Sequence, residues 1–194
     1  MQPRHLCVLM ARYHRWAYKQ LYMAMERLSE NDYRAKCNAP YGSIHRTLNH
    51  LLLSDTMWYA RLTGSEFAIK KLDKEVEFDR EKLFDRLIWQ ATTLAVFAKD
   101  CGERTLAGTL KYSDADGVEQ SLPLAGVFMH VVNHGSHHRS QIAAILDELG
   151  LKAPALDMIL FLQERQKKPE EPGEAIEPLL TQMYRSQRAG AVAG

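Results

Sequence analysis

The sequence predicts an all-α protein, a four-helix bundle with a small β-hairpin inserted before the fourth long helix. Three observations predict it. Four long segments repeat apolar residues at three- and four-residue steps, the period of a helix with one buried face. Residues that start and stop helices bracket these segments. A single stretch breaks the pattern, with partly alternating runs on either side of an Asp-Gly pair.

The first helix is predicted over about Pro3 to Leu28, with Leu6, Leu9, Met10, Tyr13, Trp16, Ala17, Leu21, Ala24 and Leu28 on its stripe. The second runs from about Ser43 to Thr63, with Ser43 as N-cap and Gly64 as the C-terminal stop. Ile44, Leu48, Leu51, Leu52, Trp58, Tyr59 and Leu62 form its stripe, and Asp55 sits inside it. The third, about Asp79 to Cys101, has the cleanest stripe and is followed by Gly102. The hairpin is expected between Leu106 and Leu122, around Asp116-Gly117. A fourth helix runs from about Leu122 to Leu149, stops at Gly150, and takes Pro123 in its first turn. A shorter fifth helix covers Leu156 to Gln166. Four amphipathic helices with one long crossover suit a bundle, and bundles place ligands on facing helices, pointing inward. Residues 1–167 are therefore expected to form one domain. The tail, 168–194, is expected to be mobile, with a short helix near Ile176 to Tyr184.

The bulk numbers exclude several classes. There are 25 Lys and Arg against 24 Asp and Glu, a formal net charge of +1. No electrostatic hold on nucleic acid or an anionic membrane is expected from that balance. The apolar runs are too short for a transmembrane helix, and no secretory leader pattern opens the chain. Cys7, Cys37 and Cys101 are odd in number and scattered, which fits reduced thiols and predicts a cytoplasmic protein.

The chemistry lies in the histidines. The chain has eight, and His130, His134, His137 and His138 crowd into one stretch of the fourth helix. Residues four apart on a helix lie roughly 40° apart in projection and one turn apart in height, so His134 and His138 can share an ion. Both run in line with Leu124, Val127, Val131, Ile142 and Ile145, and two buried imidazoles must have their nitrogens satisfied. A hydrogen-bonded core pair would also meet that need. His130 lies further off the stripe and reads as a supporting or packing residue; His137 faces solvent. The spacing is not that of a zinc protease, because Gly135 stands where HExxH carries its general-base glutamate. Two ligands leave an ion under-coordinated, so a third is expected from another helix. His50 is the best candidate, although it lies off the centre of its own stripe, on a row with Leu53 and Met57. His5, His14 and His45 are weaker candidates.

Several fragments, in order, resemble a known family. Tyr13-His14-Arg15-Trp16-Ala17 is similar to the first-helix opening of DinB/YfiT-like proteins. Leu48-Asn49-His50-Leu51, followed by Asp55, Trp58 and Gly64, resembles the second-helix pattern, and His130 to Ile142 resembles the HxxxH-Arg-x-Gln motif. The likeness runs from about Leu6 to Gln166. His14 departs from the family's usual asparagine, and Ser140 from its frequent glycine. The resemblance implies a four-helix bundle with three histidine ligands, matched here to His50, His134 and His138. It also implies a homodimer and, in members with known activity, thiol-dependent transfer or isomerisation.

Three neutral imidazoles leave a divalent ion positive and with an open position, the mark of a catalytic rather than a structural site. Zinc or nickel suits such a donor set first; iron and manganese also fit. The expected function is a metal-dependent enzyme acting on a small molecule, a thiol transferase using a low-molecular-weight thiol or a hydrolase. The alternative is a non-catalytic metal-binding or stress-response protein. Asp55, Tyr59 and Arg139 are candidate supporting or substrate groups. The plainer readings make Asp55 a partly exposed carboxylate in an ion pair and Arg139 a surface cation.

Overall fold

A computed structural model describes residues 2–69 and 71–167. They fall into two compact units, divided between Leu156 and Asp157. In the first unit the order is α1 (Pro3–Met25), α2 (Glu30–Arg34), α3 (Ile44–Thr63), α4 (Arg80–Asp100), α5 (Glu103–Leu106), β1 (Thr109–Ser113), β2 (Glu119–Pro123) and α6 (Leu124–Glu148). The second unit contributes α7 (Met158–Lys167), where the Arg165 guanidinium lies 5.5 Å over the Phe161 ring. The predicted tail helix near Ile176 to Tyr184 lies outside the described residues.

The long helices α1, α3, α4 and α6 are the four that the periodicity predicts. Each of α1 and α3 packs against both α4 and α6, so α1 and α3 stand on opposite corners of the bundle. The ends of α3 follow local chemistry. Ser43 accepts a hydrogen bond from the Arg46 amide at 3.1 Å, and Gly64 closes the helix at φ 70°, a left-handed conformation that costs glycine little. Asp79 caps α4 in the same way through the Lys82 amide.

Two short helices, α2 and α5, escape a search for long periodic stripes, since each is about one turn. The hairpin is present, with Thr109 opposite Pro123 and Ser113 opposite Glu119. Pro123 is a correction. It ends β2 rather than filling the first turn of α6, and α6 begins directly at Leu124, whose amide bonds the Gly108 carbonyl at 3.0 Å. A proline without an N–H suits the last position of a strand as well as the first of a helix.

One cluster of the apolar core closes one end of the bundle. There Leu21 and Met25 of α1, Leu48, Leu51 and Leu52 of α3, Leu83, Phe84 and Leu87 of α4, and Ile142, Ile145 and Leu146 of α6 close together. Burying each such side chain contributes about 1.5–3 kcal/mol. Next to this cluster stand the buried polar groups, the histidines among them, and Leu94, Ala98, Leu106, Phe128 and Val132 are buried in turn towards the other end. No helix among the described residues is long and apolar enough to cross a membrane.

Candidate metal centre

His50 from α3 and His134 and His138 from α6 meet in one group, each offering a nitrogen within 4.8 Å of the others. His50 Nε2 and His134 Nε2 are 3.3 Å apart. Two nitrogens bound at 2.0–2.1 Å to one tetrahedral ion should lie about 3.3 Å apart, so the spacing fits a shared cation. His50 and His138 are buried and His134 half-buried.

Hydrogen bonds orient the rings. His50 Nδ1 donates to the Leu72 carbonyl at 3.0 Å, and His138 Nδ1 donates to Gln141 Oε1 at 2.7 Å. Both bonds leave the lone pair on Nε2, facing the shared space. His134 Nδ1 lies 3.4 Å from Ser54 Oγ. Such outer partners fix the tautomer and ring angle of a metal-binding histidine. The loop that carries Leu72 is itself pinned to α3. Asn49 Oδ1 accepts from the Val76 and Glu77 amides at 2.8 and 3.0 Å, and its Nδ2 donates to the Glu77 carbonyl.

Tyr41 covers the group. Its ring stacks on His50 with centroids 4.0 Å apart and 17° between planes, and its hydroxyl is 3.0 Å from His50 Nε2. Because His50 Nδ1 donates to Leu72, His50 Nε2 accepts from the Tyr41 hydroxyl, which puts the phenol oxygen at the edge of the shared space. Burial, with Asp73 adding, pushes the Tyr41 phenol up, so it stays a neutral donor.

All three rings are held neutral, as ligation requires. Burial lowers each, and His134, with His138 and His50 beside it, is lowered to about 4. A stability prediction follows for the metal-free protein. The unfolded chain takes protons on these rings near 6.5, whereas the folded chain refuses one on His134 until about 4. The unfolded state therefore binds more protons across that window, and stability falls as pH drops from about 6.5 towards 4. Urea midpoints at pH 7.5, 6 and 5 should decline in that order; a constant midpoint would contradict the assignment.

Behind the histidines lies a buried polar network that links three helices. Asp55 of α3 accepts at Oδ2 from His14 Nε2 and from the Tyr18 hydroxyl of α1, both at 2.8 Å. Arg139 of α6 donates to His14 Nδ1 at 3.0 Å and to Ser136 Oγ at 3.1 Å, and its guanidinium lies 4.9 Å over the Tyr18 ring. Because Arg139 donates to Nδ1, His14 carries its proton on Nε2 and is neutral, bridging a buried cation to a buried carboxylate. Burial, its first cause, keeps the His14 pKa low.

This network corrects the plainer readings of two residues. Asp55 is 3% exposed and Arg139 0%, so neither is a surface charge. His14 is engaged by Asp55 and Arg139 rather than by the cluster. Tyr59 packs edge-on against Phe97 of α4, with centroids 6.4 Å apart. His137 is exposed, as expected, and His130 stacks edge-on to Trp58. Periodicity had no means of finding Tyr41 or the Leu72 carbonyl, which lie in loops. Gln141 and Ser54 were within reach, one turn from His138 and His50 on the same helices.

Gly135 has a steric role that its place in the motif does not reveal. A Cβ there would lie 2.4 Å from His14 Cε1 and 2.7 Å from an Arg139 nitrogen. Gly135→Ala must displace a fully buried ring, and overpacking of this kind costs about 1–3 kcal/mol. A drop of that size in unfolding free energy is the expected result; an unchanged value would show that α1 and α6 do not pack this closely.

Fold and site together define a helical bundle in which two facing helices bring three imidazoles to one point. The DinB family profile matches residues 1–173, and the chain belongs to the DinB family. It is similar to Protein DinB of Bacillus subtilis (strain 168), at 24% identity over 156 residues, covering 77% of this chain and 90% of that protein.

Proposed function

We propose that this chain is a divalent-metal-dependent enzyme of the thiol-transferase or hydrolase type, with His50, His134 and His138 as ligands. The observation that carries the reading is the convergence of three neutral imidazoles whose outer nitrogens are already engaged. Among the described residues, no other His, Cys, Asp or Glu joins the group. Three nitrogen ligands leave a position for a substrate atom. When bound, the ion supplies a lowered pKa to a coordinated thiol or water, or polarises a carbonyl. The chain's own residues do the rest. Leu72, Gln141 and Ser54 hold the rings, and Tyr41 offers a neutral phenol beside them. The donor set fits zinc or nickel first, then iron or manganese. The family resemblance supports a homodimer and a low-molecular-weight thiol as co-substrate, and the three scattered cysteines support a cytoplasmic location.

A second reading, a non-catalytic metal-binding or stress-response protein, is favoured by Tyr41, whose hydroxyl at 3.0 Å from His50 Nε2 stands where a fourth oxygen would close the sphere. A screen separates the two. Metal-loaded protein is offered bacillithiol, mycothiol and glutathione with an aromatic electrophile, and separately activated esters. The enzyme reading expects turnover with one class that disappears in His134→Ala. No turnover with any pair, together with a visible tyrosinate charge-transfer band in the iron(III)- or copper(II)-loaded protein that is lost in Tyr41→Phe, would favour the second reading.

A further inference from the structure

The seam that carries the histidines does not end with them. Along α3, His50, Ser54 and Trp58 follow one another at four-residue steps; along α6, His138, His134 and His130 do the same in the opposite direction. The two rows face each other. His50 is against His134 and His138, Ser54 against His134, and Trp58 against His130, with Trp58 and His130 centroids 5.2 Å apart. His130 and His134 are 5.8 Å apart, so the row is continuous.

At its far end the row borders an open pocket of about 360 Å³ beside the hairpin, whose lining includes Trp58 and His130 of the row. Trp58 and His130 form one wall, Tyr112 and Leu122 of the hairpin another, and Gly126 and Val127 of α6 the floor. The Tyr112 ring stands edge-on to Trp58 at 5.4 Å. The Arg61 guanidinium lies 4.6 Å over Trp58 and 4.4 Å over Tyr112, which fixes the two rings from behind. The size is that of a small-molecule site, and the lining is mostly apolar and aromatic. Gly126 contributes no side chain, and a Cβ there would meet only Pro123 at 3.8 Å, so the space above it is left open.

We propose that this cavity is the specificity pocket of the histidine site, holding a flat aromatic group of a small-molecule ligand whose donor atoms reach His50, His134 and His138. The proposal rests on the metal-site reading of those residues. Aromatic walls at right angles offer both a face and an edge to a planar ring, an arrangement that favours aromatic over aliphatic groups. His130, which packs 5.8 Å from His134, is the residue that the pocket and the histidine row share.

The test uses the full chain loaded with zinc and two chelators that differ only in their bodies, acetohydroxamic acid and 2-naphthohydroxamic acid. Calorimetry should show the naphthyl compound binding at least tenfold more tightly. Gly126→Leu fills the cavity while removing a glycine from a helix interior, so it should fold well. It should abolish the tenfold preference and leave acetohydroxamate binding unchanged, and Trp58→Ala should reduce the preference. Equal affinities in the wild type, or a preference that survives both substitutions, would overturn the pocket. If zinc or acetohydroxamate fails to bind at all, the metal reading fails instead. The pocket is then decided by 2-naphthamide and the metal-free chain: binding lost in Gly126→Leu upholds it, and no binding overturns it. Dissociation of a dimer by Gly126→Leu, without any ring preference, would make the cavity part of a subunit interface and would also overturn it.

Discussion

Asp55→Ala should lower the unfolding free energy by about 3–5 kcal/mol, the cost of breaking a buried charge pair by removing one member. Asp55 and Arg139 are both buried, and neutral His14 joins them. Without the carboxylate, Arg139 keeps its charge in a dry interior, and His14 and Tyr18 each lose an acceptor. A domain of this size has about 5–15 kcal/mol in total, so a fifth or more of its stability is at stake. The melting temperature should drop by roughly 6–20 °C, at about 2–4 °C per kcal/mol for chains of this length. Tyr18→Phe removes a single hydrogen bond to the same oxygen and should cost only about 1 kcal/mol. Thermal and urea unfolding of the two variants would check the ranking. An Asp55→Ala protein within about 1 kcal/mol of the wild type would refute the account of this network.

The network also sets the geometry of the centre. Asp55 follows Ser54, Gly135 follows His134, and Arg139 follows His138. Tying these neighbours to α1 holds α3 and α6 in the register that brings their imidazoles together.

Metal loading should be the second large effect. A ligand that binds only the folded state stabilises it by about 4 kcal/mol at a thousandfold excess over its dissociation constant. The melting temperature should then rise by roughly 8–16 °C on adding zinc or nickel. His134→Ala removes the middle ligand of the three and should abolish the rise. Gln141→Ala should weaken metal binding about 10–100-fold without abolishing it, because His138 loses only the partner that orients it. An equal rise in the wild type and in His134→Ala would place the metal elsewhere.

How much of this was legible before the structure differs by residue. The paired His134 and His138 follow from helical spacing, which places them on one face whatever surrounds them. His50 was the best third candidate, but spacing left it equivocal because it lies off the centre of its stripe; α3 is buried on more than one side, so a single-stripe reading misplaces it. The resemblance to a family strengthened the assignment. Asp55 and Arg139 were left between a supporting role and a surface charge for a related reason: a charged residue reads as solvent-facing unless its partners are known, and those partners lie on α1, far along the chain. Ser43 and Gly64 marked the ends of α3 correctly, since capping is a local matter. Pro123 did not mark the start of α6, because strand ends and helix starts accept proline on the same grounds. Tyr41 and Leu72 stand in loops, where no period assigns a direction to a side chain or a carbonyl.

X-ray absorption on the zinc-loaded protein decides whether the three histidines hold the ion. Three imidazole nitrogens at about 2.0–2.1 Å from zinc are expected, with a loss of imidazole scattering in His50→Ala. A shell made of sulfur, or of oxygen with fewer than two imidazoles, would contradict the assignment.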